Sequence, residues 1–135
     1  MNREDVKYLI QARMQQAREC LDDGHFLHQA NRSNRTVVNR AYYAAFYAAL
    51  ALLQSIGQAP RKHSGVLSFF DQYFVHPEHF NKEQSKSFHR LFALRQKDDY
   101  ELIEHIPHEE AEEALQLAKS FVDAIEQYLI ANKYL

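Results

Sequence analysis

Apolar positions along this chain recur every three to four residues, and no stretch shows the strict alternation of a half-buried strand. Val6, Leu9, Ile10, Met14, Ala17 and Leu21 form one stripe and predict a first helix from about Arg3 to Leu21. Asp22-Asp23-Gly24 then reads as its stop, with glycine at the C-cap. A polar connection through Asn31-Arg32-Ser33-Asn34 leads to a second helix from about Arg35 to Ile56, which ends at Gly57 and Pro60. A third, shorter helix runs from about His63 to Val75 and ends before Pro77. Asn81 with Gln84 forms a capping-box pattern for a fourth, reaching about Tyr100. Pro107 and four glutamates (Glu109, Glu110, Glu112, Glu113) open the last, where negative charge suits a helix N-terminus. Its apolar face runs through Ala111, Ala114, Leu115, Ala118, Phe121, Val122, Ile125, Tyr128 and Leu129. With no repeat and no linker long enough to divide domains, residues 1–135 are expected to be one all-α domain. The expected architecture is an antiparallel up-and-down bundle of four long helices plus one short helix.

The second helix is the most unusual. Asn39 to Leu53 carries four aromatic rings, a single arginine and almost nothing suited to plain solvent, which places it in the middle of the bundle. At about 100° per residue it sorts into three faces. Val38, Tyr42, Ala45, Phe46, Ala49, Leu52, Leu53 and Ile56 are broad and apolar. Ala41, Ala44, Ala48 and Ala51 make a flat strip for close helix approach. Arg40, Tyr43 and Tyr47, with Leu50 beside them, are polar only at their tips, as befits a semi-buried groove or a subunit contact.

Composition narrows the class. Hydrophobic residues make up 46% and charged ones 25%, with a formal net charge of -2, so a general basic coat for nucleic acid is excluded and any RNA contact has to be local. Cys20 is the one cysteine and cannot form an internal disulfide, which together with the absence of a signal-peptide core predicts a cytoplasmic protein. The apolar run from Ala41 to Leu53 is shorter than the roughly 20 residues a membrane helix needs, so no membrane partner is expected.

Three segments resemble the HEPN family, and within it the small single-domain branch associated with minimal nucleotidyltransferases. They are Arg40-Ala41-Tyr42-Tyr43-Ala44-Ala45-Phe46, His63-Ser64-Gly65-Val66 with Phe70 and Phe74, and Leu94-Arg95-Gln96-Lys97-Asp98-Asp99-Tyr100. Their order and spacing agree with the family from about Val6 to Leu129. The resemblance implies a helical bundle that forms a homodimer, with the fourth-helix motif facing a shared cleft. It also implies a toxin–antitoxin or defence setting, with a nucleotidyltransferase as antitoxin that in some pairs adenylylates a tyrosine. Many members are metal-independent ribonucleases whose motif is arginine, four to six residues, then histidine.

Arg95 matches that arginine, but Tyr100, Glu101 and Leu102 stand where the histidine belongs, and His105 lies ten residues on. Taking a proton from a ribose 2′-hydroxyl near neutral pH suits histidine and not a phenol of pKa near 10. Ribonuclease chemistry is therefore weakened, and a non-catalytic nucleotide- or RNA-binding role, or a helical dimerisation module, stands beside it. Arg18 and His25 have the literal spacing but straddle the expected stop at Gly24, and are read as coincidence. Arg95 and Asp99 fall in line with Phe88, Leu91 and Phe92, where a charge must be paired or functional. The residues nominated for chemistry are Arg95, Asp99 and Tyr100; those nominated for ligand binding are Arg40, Tyr43, Arg95 and Asp98. Arg95 would bind phosphate, Asp99 would orient it, and Tyr100 would contact a base or ribose or accept a nucleotidyl group.

The small basic knot Arg61-Lys62-His63 could meet a phosphate, cap the third helix or touch a neighbouring helix. Lys82, Lys86 and Arg90 read as solubilising charge. Three His-x-x-His pairs (His25/His28, His76/His79, His105/His108) lie near helix ends, and no cysteine or spaced carboxylate completes a set, so surface histidines, no metal and no cofactor are expected.

Overall fold

The computed structural model describes residues 1–100 and 105–135, with residues 98–100 described by backbone alone. It contains α1 (Arg3–Gln29), α2 (Asn34–Gln54), α3 (His63–Phe70) continuing into a π-helical turn at Asp71–Val75, α4 (Lys82–Tyr100) and α5 (His108–Ala131). Every element among the described residues is helical, as the periodicity predicts.

Most helix ends follow the expected chemistry. Asn2 caps α1 by accepting from the Asp5 amide at 2.9 Å, and Ser33 caps α2 through the Thr36 amide. Gly57, at φ 73°, closes α2: its N–H donates to the Gln54 carbonyl and that of Gln58 to Leu53, both at 3.0 Å. At α4 the capping box is reciprocal, with the Asn81 amide donating to Gln84 Oε1 at 2.8 Å and the Gln84 amide to Asn81 Oδ1 at 3.0 Å.

One boundary is corrected. α1 does not stop at Asp22-Asp23-Gly24 but continues to Gln29. Gly24 is buried in mid-helix, and a Cβ built there would sit 2.8 Å from Leu115 Cδ2 and 3.4 Å from Arg40 Cβ. The glycine is present because α1, α2 and α5 approach closely at that point, which offsets its roughly 1 kcal/mol handicap as a helix former. Asn31, at φ 55°, makes the left-handed exit instead: its N–H donates to the His28 carbonyl and that of Arg32 to Leu27. The Arg18/His25 reading changes with it. Both residues lie on one continuous helix, and what disqualifies the pair is that Arg18 is held at 2.8 Å by both Asp123 and Glu126.

α2 is the centre of the bundle. Ala41, Tyr42, Ala44, Ala45, Ala48, Ala49, Ala51, Leu52 and Leu53 have no exposed surface, whereas Arg40, Tyr43, Tyr47 and Leu50 are half-buried. The three faces expected from periodicity are thus realised, except that Ile56 lies beyond the helix end and is exposed. α1 packs antiparallel to α2 and to α5, and α5 runs parallel to α2, with Asn34 donating to the Ile106 carbonyl and Tyr134 to the Ser55 carbonyl. α1 and α5 are tied by the Arg18 ion pairs and by Arg3, which donates to the Asn132 carbonyl at 3.3 Å and sits over the Tyr134 ring. Away from this seam, Phe70 of α3, Phe88 of α4 and Phe121 of α5 interlock with centroids 4.9–5.9 Å apart. No helix among the described residues is long and apolar enough to cross a membrane.

Candidate functional site

Spacings of three and four on α2 put Arg40, Tyr43 and Tyr47 on one ridge, beside the alanine strip and across the helix from the broad apolar face. α4 crosses beside this ridge. Phe88 and Leu91 are buried there and Phe92 partly so, and the same stripe carries the half-buried Arg95 to the ridge. Arg95 Nη2 donates to the Tyr43 hydroxyl at 3.4 Å, and its guanidinium carbon lies 5.4 Å from the Tyr42 ring centre and 5.6 Å from that of Tyr43. Arg40 covers the Tyr43 ring at 5.5 Å, held by Asn39 Oδ1 at 2.8 Å and by a contact with Cys20 Sγ at 3.5 Å. Two guanidiniums therefore lie within 5.6 Å of the Tyr43 ring centre, an arrangement stabilised by cation–π attraction.

α3 contributes an imidazole. His63, the first residue of that helix, stacks on Phe46 at 4.2 Å between centroids and places Nδ1 2.7 Å from the Tyr42 hydroxyl. Burial, and secondarily the charge of Arg95, lower the His63 pKa, so the ring is neutral at pH 7. Burial raises that of Tyr42 despite Arg95 beside it, so Tyr42 remains a phenol. Two neutral groups share that hydrogen bond. If Nε2 carries the imidazole proton, Tyr42 donates; if Nδ1 carries it, Tyr42 accepts and Nε2 is left as a base.

His63 also lines a cavity of about 380 Å³ together with Arg13, Tyr47, Gln54 and Arg61. The expected basic knot is thus split. Arg61 and His63 face this cavity while Lys62 is the exposed residue preceding α3, and Arg13 joins them from α1, 5.9 Å from the Tyr47 ring. Guanidiniums interleaved with tyrosine faces suit an anion that carries a ring, such as a nucleotide phosphate with its base. They do not suit a cation.

Of the residues nominated from sequence, Arg40, Tyr43 and Arg95 come together. The nominated side chains of Asp98, Asp99 and Tyr100, and positions Glu101 and Leu102, lie outside the described residues. Sequence reasoning did not assign Tyr42 to the site, because its place on the apolar face of α2 already accounts for it. It left His63 with several roles, since nothing local to α3 reveals a partner 21 residues earlier on α2. Arg13 carried no signal at all.

The HEPN domain profile matches residues 10–128, a span that includes every residue of this cluster. The chain belongs to the HEPN family. It is 39% identical over 121 residues to a UPF0332 protein of Thermotoga maritima, covering 90% of this chain and 91% of that one. It is 36% identical over 125 residues to a Methanocaldococcus jannaschii protein named "Putative toxin", covering 93% and 92% of the two chains. A second protein so named from the same organism is 35% identical over 98 residues, 73% of this chain and 67% of its own length. In this HEPN domain, then, the arginine of α4 meets the aromatic ridge of α2 and a histidine from the start of α3.

Proposed function

We propose that this HEPN protein is the toxin of a toxin–antitoxin pair and acts by binding RNA or a nucleotide at the Arg95–Tyr43–Arg40 cluster. The observation that carries the reading is the half-buried Arg95 guanidinium laid against two tyrosine rings, with a second guanidinium, that of Arg40, also within 5.5 Å of the Tyr43 ring centre. A rigidly seated arginine recognises phosphate through paired N–H donors, and the exposed tyrosine edge accepts a base or ribose. The relatives named as toxins support the biological setting. The proposed form is a cytoplasmic single-domain homodimer, with Asp98, Asp99 and Tyr100 completing the cleft and a minimal nucleotidyltransferase as antitoxin.

The test is binding of labelled single-stranded RNA and of adenine nucleotides to purified protein, followed by fluorescence anisotropy. Arg95→Ala should weaken binding by about 10- to 100-fold, the range for losing charge-assisted hydrogen bonds. Arrest of growth on expression should be lost with the same change and relieved by the nucleotidyltransferase. Pure wild-type protein that binds neither RNA nor nucleotide would sink the reading.

A second reading, metal-independent RNA cleavage, gains from His63. A neutral imidazole in the same cluster as Arg95 supplies the kind of proton acceptor missing after Arg95 in the chain. Here His63 Nε2 takes the 2′-hydroxyl proton as that oxygen attacks phosphorus, and Arg95 stabilises the charge that develops on the phosphorus-bound oxygens. The P–O5′ bond breaks with the leaving 5′-oxygen protonated by water, leaving a 2′,3′-cyclic phosphate. Cleavage by wild type in the presence of a chelator, abolished separately by His63→Ala and Arg95→Ala, is its expected signature; cleavage surviving His63→Ala removes that residue from the chemistry.

A further inference from the structure

Beyond the aromatic cluster, the close approach of α1 and α5 at Gly24 has a second result. The two helices are antiparallel, so one turn past Gly24 on α1 meets the stretch one to two turns before Leu115 on α5. The side chains there are His28 on one helix and His108 with Glu112 on the other. His28 and His108 stack with ring centres 4.3 Å apart and planes 23° apart. One donor atom from each of His28, His108 and Glu112 lies within 4.8 Å of the other two. His108 and Glu112 are four residues apart on one helix and share a face.

His28 Nδ1 is buried and makes no hydrogen bond. Buried polar atoms in native proteins nearly always have a partner, so this one calls for an explanation. Among the described residues the His28 side chain makes no hydrogen bond, and its ring contact is the stack on His108.

We propose that His28, His108 and Glu112 bind a divalent transition-metal ion of the zinc class, fastening the end of α1 to the start of α5. Two imidazoles and one carboxylate form the borderline nitrogen–oxygen set that zinc, cobalt and nickel prefer over magnesium or calcium. A tetrahedral ion with bonds of about 2.0–2.1 Å needs donors about 3.3 Å apart, and the exposed side chains of His108 and Glu112 can close that distance. Water takes the fourth position. Glu112 neutralises part of the charge, and the acidic first turns of α5 offset the positive end of its helix dipole. The three His-x-x-His pairs of the sequence suggest no site taken one by one; the fold draws one histidine from each of two pairs. The site shares no residue with the Arg95 cluster and does not depend on its role.

The full chain, treated with chelator and dialysed, is to be titrated with zinc by calorimetry, with cobalt absorption as a second probe and thermal unfolding as a third. One ion per chain should bind, and saturating zinc should raise the melting temperature by at least about 5 °C. His108→Ala and Glu112→Ala, both at exposed positions that leave folding intact, should each weaken binding by tenfold or more, and His76→Ala/His79→Ala should not. No heat, no cobalt band and no thermal shift in the wild type would overturn the proposal. So would a His108→Ala protein that binds zinc as tightly as the wild type.

Discussion

α2 presents two long faces of opposite character to its neighbours. On one, Ala41, Ala44, Ala48 and Ala51 are wholly buried, and side chains of one carbon leave no room between helices. On the other, Arg40, Tyr43, Tyr47 and Leu50 are half-buried, and contact is made through rings and guanidiniums whose polar ends reach the surface. The same helix therefore builds a closed seam and an open one. Small residues make the closed seam strong and chemically silent. Large amphipathic residues make the open seam through their stems and rings while their polar ends stay within reach of solvent.

The contrast can be broken most sharply from the closed side. Ala48→Leu should destabilise the fold by about 1–3 kcal/mol through overpacking, read as a lower urea midpoint at unchanged slope. Tyr43→Phe, on the open side, should stay within about 0.5 kcal/mol. Equal effects would mean that the two faces are packed alike. Tyr42→Phe keeps the ring but removes the 2.7 Å hydrogen bond to His63, and should cost about 1 kcal/mol in the same measurement.

The pH response sharpens the picture further. His63 titrates below the ordinary imidazole value of 6.5 in the folded protein, so the unfolded chain takes up its proton first as the solution is acidified. Its contribution to stability is complete above pH 6.5 and is lost as the pH falls through the lowered folded value. Arg95→Gln removes one of the two causes, so the His63 pKa should rise in an NMR titration and the acid loss should shrink. An unmoved His63 resonance would separate the two residues. The smallest effect is expected at Arg18→Ala, whose ion pairs with Asp123 and Glu126 are about one-third exposed and should contribute no more than about 1 kcal/mol.

Helix number, order and most boundaries were legible because each rests on local chemistry: Ser33, Gly57, Asn81 and Gln84 act within a turn of where they stand. Gly24 misled for the opposite reason. Its role is set by Leu115, 91 residues away, and a glycine that serves packing looks the same in sequence as one that ends a helix. The candidate site divides along the same line. Arg40 and Tyr43 could be grouped because they share a helix, and Arg95 stood out as a charge in an apolar stripe. The Tyr42–His63 bond and the meeting of His28 with His108 join residues of different helices, and no periodicity encodes them.

The antiparallel pairing of α1 with α5 also sets an order of assembly during synthesis. All residues of the aromatic cluster, from Arg13 to Arg95, leave the ribosome before any of α5. Until Phe121, Val122 and Ile125 arrive, the side of α2 and of the Phe70–Phe88 pair that they cover faces water. The cluster is therefore made early but held on an incomplete scaffold, and it becomes rigid only when the last helix closes over the middle one.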